Sequence, residues 1–161
     1  MRDLDLAAEE LRDLAQRIAD NIARNGQKAS GKTAESLEVV EGNDSVTLVG
    51  RKYFDNLERG VPPWSSINKK KVRSFGFILY QWSQDKGLTF ADEDERKSFA
   101  FALAHKIANH GTELFREGGR ADVYSSEIPN TIKRIIERMQ NTYLAKIESI
   151  PLNLGNNESS N

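Results

Sequence analysis

Residues Gly26 to Thr33 read G-Q-K-A-S-G-K-T, a match to the phosphate-cradling pattern G-x-x-x-x-G-K-[ST]. In that chemistry the backbone amides of a glycine-rich turn, backed by a helix N-terminus, hold phosphate oxygens. The lysine neutralises the charge. Position decides whether a match can do this: an apolar strand must enter the glycines and a helix must start at the Lys-Thr. Here the order is reversed, because an amphipathic helical pattern precedes Gly26 and strand-like residues follow Thr33. A second strand ending in an acid for magnesium and water is also missing. The segment Gln27 to Lys32 is therefore read as a flexible polar loop, and no cofactor is expected.

Other chemistry-bearing residues give no constellation. His105 and His110 are the only histidines, and a five-residue step on a helix points them in different directions. No metal site is expected. Asp92 to Glu95 is a cluster of acids without EF-hand spacing, and it reads as a helix start. No serine stands in a G-x-S-x-G elbow, and with no cysteine there is no Cys-His pair, so no catalytic residues are assigned.

Two features suit binding rather than catalysis. Lys69, Lys70, Lys71 and Arg73 lie near Trp64 and Phe75. Basic groups with aromatics can hold a phosphate backbone, or the run can be a solvated loop end. On a chain of net charge −1, such a patch could line a channel through which DNA passes without sequence readout. Trp64 follows Pro62 and Pro63 in a rigid polar loop. It could anchor a protein contact or fold back onto its own core.

The elements that position these residues follow from periodicity. Leu4, Ala7, Leu11, Leu14, Ile18 and Ile22 recur at three- and four-residue steps, which predicts an amphipathic helix closed by Asn25-Gly26. Ser36–Glu41 and Ser45–Arg51 alternate partly and flank Gly42-Asn43-Asp44, a hairpin pattern. A short helical piece is expected from Tyr53 to Arg59, ended by Gly60. Phe75, Ile78, Leu79 and Trp82 predict a second helix. Phe99, Leu103 and Ile107 predict the apolar stripe of a third. Glu117 to Arg120 reads as a turn and Asp122-Val123-Tyr124 as a short strand. A last helix is expected from a cap at Ser125 or Ser126, with Pro129 in its first turn and Ile132, Ile135, Ile136, Met139, Tyr143 and Ile147 along one face. Pro151 stops it, and residues 151–161 read as a disordered tail.

Composition bounds the rest. A chain of 161 residues is long enough for one domain with a real core, although apolar residues make up only 38% of it. There is no apolar run long enough to span a membrane. The opening M-R-D-L-D-L-A-A-E-E is acidic and lacks a signal-peptide core, which predicts synthesis and use in a cytosol-like setting.

The run from the first helix to Gly60 resembles the small head–tail connector, neck or tail-completion proteins of tailed bacteriophages, akin to the minor tail protein Z-like group. Three segments carry the resemblance: A-S-G-K-T-A-E-S-L at Ala29 to Leu37, the hairpin V-V-E-G-N-D-S-V-T-L-V-G, and Y-F-D-N-L-E-R-G at Tyr53 to Gly60. The last is similar to the family's Tyr-Ala-x-x-x-Glu-x-Gly, with Phe54 in place of the small residue. Val61-Pro62-Pro63-Trp64 replaces a simple turn, and residues 68–111 look like an added helical pair.

The resemblance implies a single domain over residues 1–150, including the insertion at 68–111. The expected fold is α+β: a small antiparallel sheet packed against long N- and C-terminal helices. It implies a structural virion protein, made in the host cytoplasm, forming a ring-like layer at the head–tail junction around the DNA channel. Its partners would be copies of itself, other neck, portal-side or tail proteins, and packaged DNA without specificity, with no membrane and no small-molecule substrate. Ser30, Gly31, Lys32, Tyr53, Phe54, Glu58, Gly60 and Trp64 are the expected subunit-contact residues, and Lys69, Lys70, Lys71 and Arg73 the DNA-facing ones. The alternative is a small nucleic-acid-binding regulatory protein using the same basic run.

Overall fold

Leu14, Ile18 and Ile22 are spaced four residues apart, and in the computed structural model, which describes residues 3–150, they form the buried seam of a long first helix. This helix, α1 (Asp3–Arg24), carries Asp3 and Asp5 in its first turn and Arg24 in its last, as the helix dipole favours. Gly26 turns the chain out of it with φ 67°. Residues 151–161, including the expected stop at Pro151 and the expected tail, lie outside the described residues.

The chain then forms a short helix, α2 (Lys32–Glu35), where a loop running directly into a strand was expected. The strands are accordingly shorter than their sequence pattern: β1 (Glu38–Glu41) and β2 (Val46–Val49). They pair antiparallel with Glu38 opposite Val49 and Glu41 opposite Val46, and the Gly42 N–H closes the turn on the Ser45 carbonyl at 2.8 Å. Leu37 and Leu48 pack with Leu14, Ile18, Ile22 and Val123, so one face of the hairpin sits on α1. The fold is thus α+β and mostly helical, with a two-stranded antiparallel sheet.

The short helix α3 (Asn56–Arg59) precedes Gly60. Next comes α4 (Lys69–Asp85), six residues longer at its start than the Phe75–Trp82 stripe suggests, because the Asn68 side chain caps it by accepting from the Lys71 N–H at 3.0 Å. Its partner α5 (Glu93–His110) is capped by Asp92, which accepts from the Glu95 N–H at 2.8 Å. The predicted stripe of Phe99, Leu103 and Ile107 is only partly what α5 buries. Ala100, Ala104 and Ala108 are fully buried and face α4, whereas Phe99 turns outward against Phe90 at 5.2 Å. Small residues win the inner face because they let the two helices approach closely. Gly76 of α4 shows how closely: a Cβ there would stand 2.5 Å from the Phe101 ring.

A one-turn helix absent from the sequence reading, α6 (Glu113–Arg116), leads into the glycine turn, and Asp122 to Tyr124 forms turn rather than strand. The last helix, α7 (Glu127–Glu148), starts after Ser126, which makes no side-chain cap. It runs antiparallel along α1, with Arg17 bonded to Glu127 at one end and Tyr143 to Asp3 at the other. It was expected to pack on the sheet; its neighbour is α1.

Candidate functional site

Glu58 lies on α3, in the segment Tyr53 to Gly60, and its side chain points inward with 3% exposure. One carboxylate oxygen accepts three consecutive backbone N–H groups, from Val123 at 3.0 Å, Tyr124 at 2.7 Å and Ser125 at 2.9 Å. The other accepts the Ser125 hydroxyl. The Glu58 carbonyl accepts the Arg120 N–H at 2.8 Å. Burial by itself would raise the Glu58 pKa, but the hydrogen bonds from Ser125, Tyr124 and Val123 outweigh it, and the group stays below the ordinary carboxylate value. Each acceptor oxygen is engaged by the protein's own donors, so this carboxylate is a fastener between distant segments.

Two glycines make the approach possible. Gly60 has φ 71°, and a Cβ there would lie 2.5 Å from the Phe115 nitrogen. Gly119 has φ 81°, and its Cβ would meet the Glu58 carbonyl oxygen at 2.8 Å. The chains cross again nearby: Val61 donates to the Thr112 hydroxyl, and Thr112 donates back to the Val61 carbonyl, both at 2.9 Å. On the α1 side, Val123 is fully buried and its carbonyl accepts from Asn21 at 3.1 Å. Phe54 packs on Tyr124 with ring centroids 5.6 Å apart. The Tyr124 hydroxyl donates to Asp55; burial first, and then this carboxylate, push its pKa up to about 12.

These contacts redistribute the expected subunit-contact set. Glu58 and Gly60 are buried and Phe54 is half-buried, so they act within the chain. Trp64 also folds back. Its ring meets Phe75 edge-on at 5.1 Å, Lys71 Nζ stands 4.7 Å from its centroid, and the Trp64 backbone N–H donates to the Ala108 carbonyl at 2.9 Å. Gly31 is buried with φ 87°. The loop around it is tied down rather than free. Gln27 donates to the Leu57 carbonyl at 2.6 Å, and Lys86 donates to the carbonyls of Gly26 and Lys28. Ser30, Lys32 and Tyr53 remain exposed, Tyr53 at 71%. The loop borders an open cleft of about 590 Å³ that Lys28, Lys32, Arg51, Trp82 and Asp85 help to line.

Lys69, Lys70, Lys71 and Arg73 are all exposed and occupy the first turns of α4. His105 and His110 are exposed as well. No group of acids and histidines suited to a metal ion occurs among the described residues. No described helix is long and apolar enough to cross a membrane.

Sequence reasoning missed the polar seam between α1 and α7. Glu10, 5% exposed, accepts from Arg134 and Arg138 at 3.1 Å each, and Arg138 also bonds Glu9 at 2.7 Å. The signal was present in the four-residue step from Arg134 to Arg138 opposite the adjacent acids Glu9 and Glu10. Comparison with known protein families, with curated proteins and with solved structures found no match.

Proposed function

We propose that this chain is a structural virion protein that forms a ring-like layer at the head–tail junction of a tailed phage, as a neck, connector or tail-completion component around the DNA channel. The observation that carries this reading is the hairpin. Among the described residues each of its strands pairs on one side only, and Val40 and Val49 are 46% and 39% exposed. A lone two-stranded sheet gains stability when a neighbour adds strands to its edge, and a head-to-tail repetition of that contact closes a ring. The Glu58 fastener supports the same reading, because it holds the Y-F-D-N-L-E-R-G segment rigid and leaves Tyr53 outward. A rigid, preorganised surface loses little entropy on docking.

Quantitative mass spectrometry of gradient-purified particles tests the reading. A small, constant ratio of this chain to the portal protein supports it; presence in lysate but not in particles overturns it. The second reading, a nucleic-acid-binding regulator, is favoured by the four exposed cations that open α4. It requires salt-dependent DNA retention by the isolated protein.

A further inference from the structure

Helix α7 turns its apolar side to water. The side facing α1 is polar and carries Glu127, Thr131, Arg134 and Arg138. Ile132, Ile136, Met139, Tyr143 and Ile147 recur at steps of four and three, the spacing of a helix-pairing seam. Four of these stand 49–63% exposed, with Ile128 and Ile150 extending the stripe at 41% and 61%. A helix that meets its own fold through ion pairs and offers its aliphatic stripe to solvent inverts the usual arrangement.

We propose that this stripe pairs with α7 of a second copy of the chain, antiparallel about a two-fold axis near Gln140. The area fits: with Leu144, seven half-exposed side chains offer on the order of 700 Å² per copy, close to the ~800 Å² per partner of a standard stable interface. The exposed charges of the helix fit as well. Lys133, Glu137, Lys146 and Glu148 are two of each sign, so a second copy meets no net repulsion. An anionic membrane or nucleic acid would instead call for a one-signed border. Antiparallel pairing sets the helix dipoles head to tail. The contact uses a different element from the hairpin, and it stands whether or not the chain enters a virion.

Sedimentation of the purified chain, with site-specific cross-linking, tests the pairing. The wild type is expected at twice its 18.1 kDa mass at micromolar concentration. The double variant Ile132→Glu/Ile136→Glu is expected at the single-chain mass, with an unchanged helical circular dichroism spectrum. Because the chain has no cysteine, Gln140→Cys supplies a single thiol without disturbing the seam. A short bis-maleimide should join two Gln140→Cys chains, should not join two Ile132→Cys chains, and should join Ile132→Cys to Ile147→Cys in a mixture. A wild type that stays monomeric, a dimer insensitive to the double variant, or a Gln140→Cys chain that does not cross-link would each overturn the proposal. Particle composition is measured separately, so this pairing and the virion reading can fail independently.

Discussion

The carboxylate of Glu58 receives the backbone N–H of Val123 at 3.0 Å across 65 residues of sequence. Truncation to Glu58→Ala would leave three backbone N–H groups without their acceptor, that of Val123 in the buried core. Three orphaned donors cost about 3–4 kcal/mol together. Glu58→Gln keeps one acceptor oxygen for the three N–H groups and lets Ser125 accept from the amide, but exchanges charge-assisted bonds for neutral ones, for a loss of about 1–2 kcal/mol. Chemical denaturation should rank the proteins wild type, Gln, Ala. A fully stable Glu58→Ala chain would mean that this segment is not held by the carboxylate.

Acid should unfasten the same contact. The pKa values of Glu58 and Glu10 both lie below the ordinary 4.5; in each, burial pushes upward and hydrogen bonds, from arginines for Glu10, pull further down. A lowered folded value means that the unfolded chain binds more protons, so the stabilisation is complete above the unfolded value and is lost as pH falls through the folded one. The melting temperature should be nearly level from about pH 7 to 5 and drop below about pH 4.5. Glu58→Gln should show a shallower drop, and a parallel curve would assign the acid sensitivity elsewhere.

Glycine substitutions separate backbone strain from collision. Gly26 and Gly87 have φ 67° and 69° with open space where a Cβ would stand, so alanine there costs about 1 kcal/mol for the left-handed backbone. Gly60 has a similar φ of 71°, but its Cβ would lie 2.5 Å from the Phe115 nitrogen and 2.6 Å from Thr112 Oγ1. Gly60→Ala should therefore lose about 3 kcal/mol or more, since the obstacle is partly backbone. Equal melting temperatures for the Gly26→Ala and Gly60→Ala chains would show that the crossing at Thr112 is not close-packed.

The Glu10 cluster predicts where the fold loosens first. Glu10→Ala leaves Arg138 only Glu9 and Arg134 only Thr131, and because both side chains are 37% exposed, solvent screening trims the cost of the broken pairs to about 2 kcal/mol. Hydrogen exchange should quicken along α7 and leave α4 and α5 protected, because these helices share a separate core around Ala104. Uniform quickening would indicate one cooperative unit.

Local signals were legible in the sequence and tertiary choices were not. The Leu14–Ile18–Ile22 spacing, the Gly26 stop and the Asp92 helix start all stand in the structure, because each depends on neighbours within a turn or two. The order around the P-loop-like segment stands only in part: a helix, α1, rather than a strand precedes Gly26, but the one-turn helix α2 begins at Lys32, where strand was expected, and β1 follows it. The aliphatic stripe of α7 was as plain as that of α1, but periodicity marks an apolar face without saying what covers it. Long-range bonds from α1, of Arg17 to Glu127 and of Glu10 to Arg134 and Arg138, turn that face outward. Trp64 shows the same limit. Its place beside two prolines suited an external anchor as well as an internal plug, and the decision came from Phe75 and Ala108, more than ten and forty residues away.

The basic opening of α4 separates a functional charge from a structural one. Helix N-termini carry partial positive charge, and Lys69, Lys70 and Arg73 sit there exposed, with no acid in the first turn to offset them. Lys71 differs, since its ammonium lies over the Trp64 ring. Replacing Lys69 and Lys70 by Glu should then stabilise the fold, by about 0.3–1 kcal/mol per site at low salt. If these cations face DNA, the same variant should lose low-salt retention on a DNA column, and the wild type's retention should fall steeply with added salt. Lys71→Glu should behave differently, losing the contact over Trp64 along with the charge. A double variant that gains stability and keeps its DNA retention would remove the basic run from any DNA-facing role.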